Sequence, residues 1–117
     1  MQSAESISFL GHTAVNDDGD QGTNSILTVN FNVFSKGPAH VAGIIYTTNG
    51  WASTTVAPAS FQGFNGDLEL WKAVVITGGN NITFQYVIWC DDYAGVNVVP
   101  RIYNTNGGDQ FSITSSF

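Results

Sequence analysis

The chain has 117 residues, of which 43% are hydrophobic, 13% aromatic and only 10% charged. That is the material of one domain, too short for a typical two-domain enzyme and too apolar and aromatic for a disordered segment. Three basic residues (Lys36, Lys72, Arg101) against nine acidic ones leave a formal charge of -6, so there is almost no cationic surface with which to neutralise phosphates, and nucleic acid and anionic membranes are poor partners.

Met1-Gln2-Ser3-Ala4-Glu5 leads straight into strand-like sequence, with neither a positive n-region nor an apolar h-segment. No apolar run approaches the roughly 18 residues of a membrane span. The expectation is a soluble chain without membrane insertion, either cytoplasmic or exported without a classical signal. Strand-like runs follow at Ser6–Val15, Ser25–Phe34, His40–Thr47, Thr55–Gln62, Leu68–Ile76, Asn81–Trp89, Arg101–Asn104 and Gln110–Thr114. Between them stand Asn16-Asp17-Asp18-Gly19-Asp20, Lys36-Gly37-Pro38, Asn49-Gly50, Asn65-Gly66-Asp67, Gly78-Gly79-Asn80-Asn81 and Asn106-Gly107-Gly108-Asp109, all rich in residues that tolerate positive φ. Short β-branched runs separated by such turns, with no competing helical pattern, predict an all-β antiparallel sandwich of seven or eight strands, a single domain over 1–117.

Alternation divides each run into two faces. In the second, Leu27, Val29, Phe31 and Val33 are expected to face the core, with Thr28, Asn30, Asn32 and an exposed Phe34 opposite. In the sixth, Ile82, Phe84, Tyr86 and Ile88 are expected inside, with Thr83, Gln85, Val87 and Trp89 outside; Trp89 is then either exposed or packed under a neighbouring loop.

Reactive chemistry is sparse. His12 and His40 lie in strand-like runs at no metal-ligand spacing from each other or from the lone Cys90, which reads as a buried apolar thiol. No nucleophile elbow is present, and a sandwich of this size seldom forms the cleft that paired glycosidase carboxylates need. Asp17-Asp18-Gly19-Asp20 offers carboxylates near a glycine as calcium loops do, but lacks the closing glutamate of an EF-hand, and an acidic solvated turn is the preferred reading. No enzyme activity, cofactor or metal is therefore expected.

What stands out is a set of aromatics in or beside polar turns: Trp51 after Asn49-Gly50, Phe61 and Phe64 flanking Gly63, Trp89 and Tyr93 around Asp91-Asp92, and Tyr103 before Asn104-Thr105-Asn106. A sugar has apolar C–H faces and a hydroxyl rim, so it binds where a ring can stack beneath it while amides and hydroxyls bond its edge. A neutral, hydroxyl-rich ligand also suits a chain with so few cations. The competing reading is that these are ordinary sandwich corners.

The stretch His40-Val-Ala-Gly-Ile-Ile-Tyr-Thr-Thr-Asn-Gly-Trp-Ala-Ser53, an apolar strand running into Tyr, a polar turn and Trp, resembles carbohydrate-binding module family 21. Leu27-Thr-Val-Asn-Phe-Asn-Val-Phe-Ser-Lys36 looks like the preceding strand of that family. Leu70-Trp-Lys-Ala-Val-Val-Ile76, Ile82-Thr-Phe-Gln-Tyr-Val87 and Ile102-Tyr-Asn-Thr-Asn-Gly-Gly-Asp-Gln-Phe-Ser-Ile113 follow in its order, so the resemblance covers most of residues 26–113. The family comprises immunoglobulin-like sandwiches that bind starch or glycogen, found on some fungal amylolytic enzymes and on phosphatase subunits that target glycogen. The resemblance implies that fold and an oligo- or polysaccharide partner. It matches Trp51 to the stacking tryptophan of a first site and Tyr103 to its tyrosine partner, with Asn104 and Asn106 on the polar run beside them, and Phe34 and Phe61 to aromatics of a second site. Thr83 stands where the family has a further ligand tyrosine, although Trp89 is expected on the same face. Cys90–Pro100 is longer than the family's hairpin loop, so a different glycan, bound by a first site remodelled with Tyr93, fits as well.

The leading expectation is a non-catalytic carbohydrate-binding module or free-standing lectin, with Trp51 and Tyr103 stacking and Asn49, Asn104 and Asn106 bonding hydroxyls. Weak single sites gain avidity in number, which a homo-oligomer or two sites per chain would supply. The alternative is an interaction module that pairs with itself or a partner through a sheet edge or apolar patch, without sugar binding.

Overall fold

The structure, a computed structural model, describes residues 6–18, 22–34, 40–66, 68–92 and 102–117. Nine strands are present among them: β1 (Ser6–Asp17), β2 (Asn24–Phe34), β3 (His40–Thr47), β4 (Thr55–Pro58), β5 (Ser60–Asn65), β6 (Leu68–Gly78), β7 (Thr83–Asp92), β8 (Ile102–Asn104) and β9 (Phe111–Thr114). They form two antiparallel sheets. The first runs β1-β2-β6-β5 and the second β4-β3-β7, with β8 and β9 both pairing on the free side of β7. With β8 and β9 taken as two halves of one edge strand, this is the ABED and C′CFG order of an immunoglobulin-like sandwich.

The count exceeds the expected seven or eight because the run over Thr55–Gln62 is two strands. Pro58 ends β4 in the second sheet, and β5 begins at Ser60 in the first. A proline cannot donate to a ladder, so the chain leaves one sheet there and crosses to the other. The Ala59 N–H donates to the Ala42 carbonyl at 2.8 Å and anchors the crossing.

The expected alternation holds in both central strands. Leu27, Val29, Phe31 and Val33 of β2 are wholly buried and meet Phe84, Tyr86 and Ile88 of β7, with Ala42 and Ile44 of β3 and Trp71, Ala73 and Val75 of β6 completing the core. Cys90 is buried there too, as an apolar thiol should be. Two edge strands break simple alternation. In β1 the register shifts between Phe9 and Gly11, so Phe9 and His12 both face inward, opposite Phe31 and Val29. In β5 it shifts between Phe61 and Gly63, so Phe61 and Phe64 share the face of Trp71 and Glu69. Residues three apart on a regular strand point to opposite sides; the extra residue of a bulge cancels the difference. Gly63 takes φ 130° at this bulge, a conformation open to glycine and strained for other residues.

One end of the sandwich is closed by a chain of polar groups. The Ile82 N–H donates to Ser115 Oγ (2.8 Å), the Ser115 hydroxyl lies 2.8 Å from Ser25 Oγ, and the Ser25 hydroxyl donates to the Gly79 carbonyl (2.7 Å). Beside it the Asn16 amide exchanges hydrogen bonds with Asn81 (2.9 Å each). Ser25 and Ser115 are buried, so these bonds satisfy groups that water does not reach.

Candidate functional site

The aromatics expected to bind ligand sort onto different surfaces. Around Trp51 the chain leaves β3 in a turn organised by Thr47. The Thr47 hydroxyl donates to Asn49 Oδ1 (2.7 Å) and its oxygen accepts the N–H groups of Trp51 (3.1 Å) and Asn49 (3.3 Å). Asn49 closes the far side, donating from Nδ2 to Ser53 Oγ (2.8 Å) and accepting the Ser53 N–H (3.1 Å). This network holds Trp51 at φ 70°, a left-handed conformation that costs a non-glycine residue about 1–3 kcal/mol. Thr47 pairs with Gln85, so its side chain lies on the outer face of the second sheet, where it is buried by the turn it organises. The Trp51 ring is partly buried, with its indole Nε1 covered and no acceptor for it among the described residues.

Tyr103 lies on the same outer face. It pairs with Trp89 in the β7–β8 ladder and is 52% exposed. Between its row and the Thr47 row lie Val56, Ile45 and Val87, paired in register across β4, β3 and β7. Tyr103 stands four residues along β7 and two strands across from Thr47, which separates the backbones by roughly 16 Å at ~3.3 Å per residue and ~4.8 Å per strand. Tyr103 and the root of the Trp51 turn therefore lie on one face of the second sheet.

Trp89 is on the outer face as expected but only 3% exposed. Its ring lies over Gly43, where any β-carbon would come within 2.9 Å of Trp89 Cζ2. Of the two readings the sequence allows, the packed one is correct, and Trp89 offers no stacking surface. The glycine opposite was the signal: a pleated sheet leaves room for a flat indole where one position has no side chain.

The three asparagines expected to bond sugar hydroxyls make hydrogen bonds within the fold, two of them inside their own turns and Asn104 also to β1. Asn49 does so as described. Asn104 pairs with the inward-facing Ile88, so it points away from the face of Tyr103; its Nδ2 donates to the Ile7 carbonyl (2.8 Å) and its Oδ1 accepts the Asn106 N–H (3.0 Å). Asn106, at φ 54°, donates to the Gln110 carbonyl (3.0 Å) and shapes the 3₁₀ turn Asn106–Gly108 that separates β8 from β9. Thr83 lies on the outer face, exposed, with its hydroxyl 2.9 Å from that of Thr114. Tyr93, expected from the long loop, lies outside the described residues.

The proposed second site is not assembled. Phe34 is half-buried rather than exposed, and pairs with Leu68 on the outer face of the first sheet. Phe61 pairs with Trp71 on the inner face. The sheet therefore stands between them. Phe61 instead stays with Phe64, as their places around Gly63 suggested, and the structure adds Trp71: the Phe61 ring meets Trp71 edge-on at 5.5 Å and Phe64 edge-on at 5.0 Å, and Phe64 is 71% exposed. The Trp71 indole donates to the buried Glu69 carboxylate at 3.1 Å. Phe61-Gln62-Gly63-Phe64 carried the signal, since a glycine inside a strand often marks a bulge.

His12 reads as structural. Its Nδ1 lies 2.7 Å from the hydroxyl of the buried Tyr86, and both rings pack in a cluster with Phe9 and Phe111. Burial lowers the His12 pKa from 6.5 and pushes the Tyr86 hydroxyl up, so both are neutral near pH 7. Tyr86 then donates to Nδ1, which leaves the ring proton on Nε2. Among the described residues no three His, Cys, Asp or Glu side chains are grouped to hold a metal, and Asp18 Oδ1 accepts a hydrogen bond from Asn80 (2.7 Å).

No family model matches the chain, and none of the curated proteins compared with it is a significant match.

Proposed function

We propose that the protein binds carbohydrate without catalysis, using the outer face of the second sheet. The observation that carries this reading is the turn from Thr47 to Ser53: a lattice of side-chain hydrogen bonds, rooted in Thr47 on that face, holds one tryptophan in a strained left-handed conformation. Strain is retained where the position of a side chain matters, and a ring positioned before binding loses little entropy on stacking. Tyr103, half-exposed, lies further along the face, with Val56, Ile45 and Val87 as an apolar floor between. An oligosaccharide lying along the sheet would contact Trp51 and Tyr103 with different residues of its chain. The resemblance to family 21 names α-glucans as the first ligands to try.

The asparagines enter this reading as turn-formers. Asn49 holds Trp51 in place, and Asn104 and Asn106 hold the strand break beside Tyr103. Hydroxyl partners would come from spare amide valences and from Gln85 and Ser112, which pair on the same face.

The test is a glycan array together with affinity electrophoresis in starch and glycogen, run on the wild type, Trp51→Ala and Tyr103→Ala. Retention of the wild type and its loss in Trp51→Ala, with an unchanged far-ultraviolet spectrum, is the expected result. A folded wild-type protein that binds nothing on the array, or a Trp51→Ala variant that binds normally, defeats the proposal.

A further inference from the structure

Strand β6 is apolar on both sides. Its inward residues Trp71, Ala73 and Val75 belong to the core, yet four of its six outward positions are also aliphatic: Leu68, Leu70, Val74 and Ile76, with Lys72 between and Gly78 at the end. An antiparallel strand with one face in water alternates apolar and polar; a strand apolar on both sides is the pattern of one covered on both. Ile76 is 65% exposed and Val74 49% exposed, and the register sets Ile26 and Val15 beside Ile76, and Thr28 and Thr13 beside Val74. Phe34 continues the surface beside Leu68. No carboxylate lies on the paired rows of this face from Leu68 to Ile76, although the chain has nine acidic residues.

We infer that the outer face of the first sheet is the interface between two copies of this chain, which pack face to face about a twofold axis. Edge pairing, the other route by which sheets associate, is obstructed at every edge described. The β1 edge is bulged at Leu10 and bridged at Val15 by Ser116, and β5 is bulged at Gln62. The β4 strand is four residues long and ends in Pro58, and the remaining edge is broken between β8 and β9. Bulges, prolines and short strands are the devices by which sheets avoid adding another strand. The edges are blunted, while the face keeps an aliphatic stripe on β6, widened by Phe34, Ile26 and Val15 and flanked by uncharged Asn, Ser and Thr side chains.

Size and charge favour a second copy as the occupant. Four strands ~4.8 Å apart and about nine residues long present a face of roughly 19 by 30 Å, so two such faces bury about 1,100 Å², just above the ~1,000 Å² that a specific interface requires. A twofold axis crossing the β6 stripe lays one aliphatic stripe over its symmetry mate at the angle usual for stacked sheets. Lys72 does not prevent this, because its four-carbon stem is long enough to pass β5 and leave the ammonium in water at the rim. The inference is independent of sugar binding; on the carbohydrate reading it adds that two binding faces point outward on opposite sides of the dimer.

Sedimentation velocity over a range of protein concentrations tests this directly. The wild type is expected to shift from monomer to dimer. Ile76→Lys and Val74→Lys, each placing two unpaired charges in the symmetric contact, are expected to weaken dimerisation at least 100-fold. Both positions are exposed in the monomer, so thermal melting of each variant should show a folded chain; Val74→Thr, which keeps the β-branched shape, serves if a lysine variant does not fold, with a smaller shift in the same direction. Val41→Lys, on the outer face of the other sheet, should leave the dimer intact. A wild type that stays monomeric at all concentrations, or a dimer indifferent to Ile76→Lys and Val74→Lys but lost with Val41→Lys, overturns the inference.

Discussion

Gly43→Ala tests whether the indole of Trp89 is seated on the second sheet as described. The new methyl group would meet three atoms at once: the Ala57 carbonyl oxygen, Trp89 Cζ2 at 2.9 Å and Pro58 Cα at 3.0 Å. Two of the three are main-chain atoms of β4, which pairs with β3 at this point, and cannot rotate aside. Relief requires β4 to move outward or the indole to lift, and either disturbs packing on a buried residue. Overfilling a packed site by one methyl usually costs 1–3 kcal/mol, and backbone on two sides puts this case at about 2–3 kcal/mol. For a chain of this size that lowers Tm by roughly 6–15 °C, with dependence on the accompanying entropy of unfolding. Thermal unfolding followed by far-ultraviolet circular dichroism reads the shift, and tryptophan emission moves to longer wavelength if the indole is displaced. A variant melting within about 2 °C of the wild type would show that Trp89 does not lie against Gly43.

Trp89→Ala should cost about 3–5 kcal/mol in urea unfolding, because it removes a packed ring, whereas Trp51→Ala should cost far less; equal losses would contradict the assignment of one to packing and the other to the surface. Ser25→Ala interrupts the hydrogen-bond chain between Ser115 and Gly79 and should cost about 1–3 kcal/mol, with a non-additive double variant Ser25→Ala/Ser115→Ala; strict additivity would argue that the two hydroxyls act separately. His12 has a folded pKa below its unfolded value of 6.5, so the unfolded chain takes up its proton first as the pH drops. Its contribution is complete above pH 6.5 and is lost as the pH falls through the lowered folded value. Protonation also reverses the bond to Tyr86, whose buried hydroxyl then loses its acceptor. The Tm of the wild type should thus fall more steeply than that of His12→Gln below pH 6.5; parallel curves for the two proteins would assign the acid sensitivity elsewhere.

Composition, alternation and turn residues were enough to determine the all-β class, the inward rows of β2 and β7 and the buried thiol, because those follow from local rules: a strand has a period of two, and apolar rows leave water. The bulge in β5 was signalled by Gly63 but that in β1 was hidden, and since one extra residue inverts every face beyond it, only pairing with a neighbour fixes which side chains share a face. The division of Thr55–Gln62 between two sheets was signalled by Pro58, but which sheet receives β5 is set by its hairpin partner β6, whose own place depends on pairing with β2 far back along the chain. For the candidate site the sequence identified Trp51 and Tyr103 as aromatics beside polar turns. Tertiary structure alone set Tyr103 about 16 Å from Thr47, the root of the Trp51 turn, buried Trp89 over Gly43, parted Phe34 from Phe61 by a sheet, and turned Asn104 inward. The reason is common to all four: side-chain direction is local, whereas exposure and partnership depend on which distant strand lies alongside.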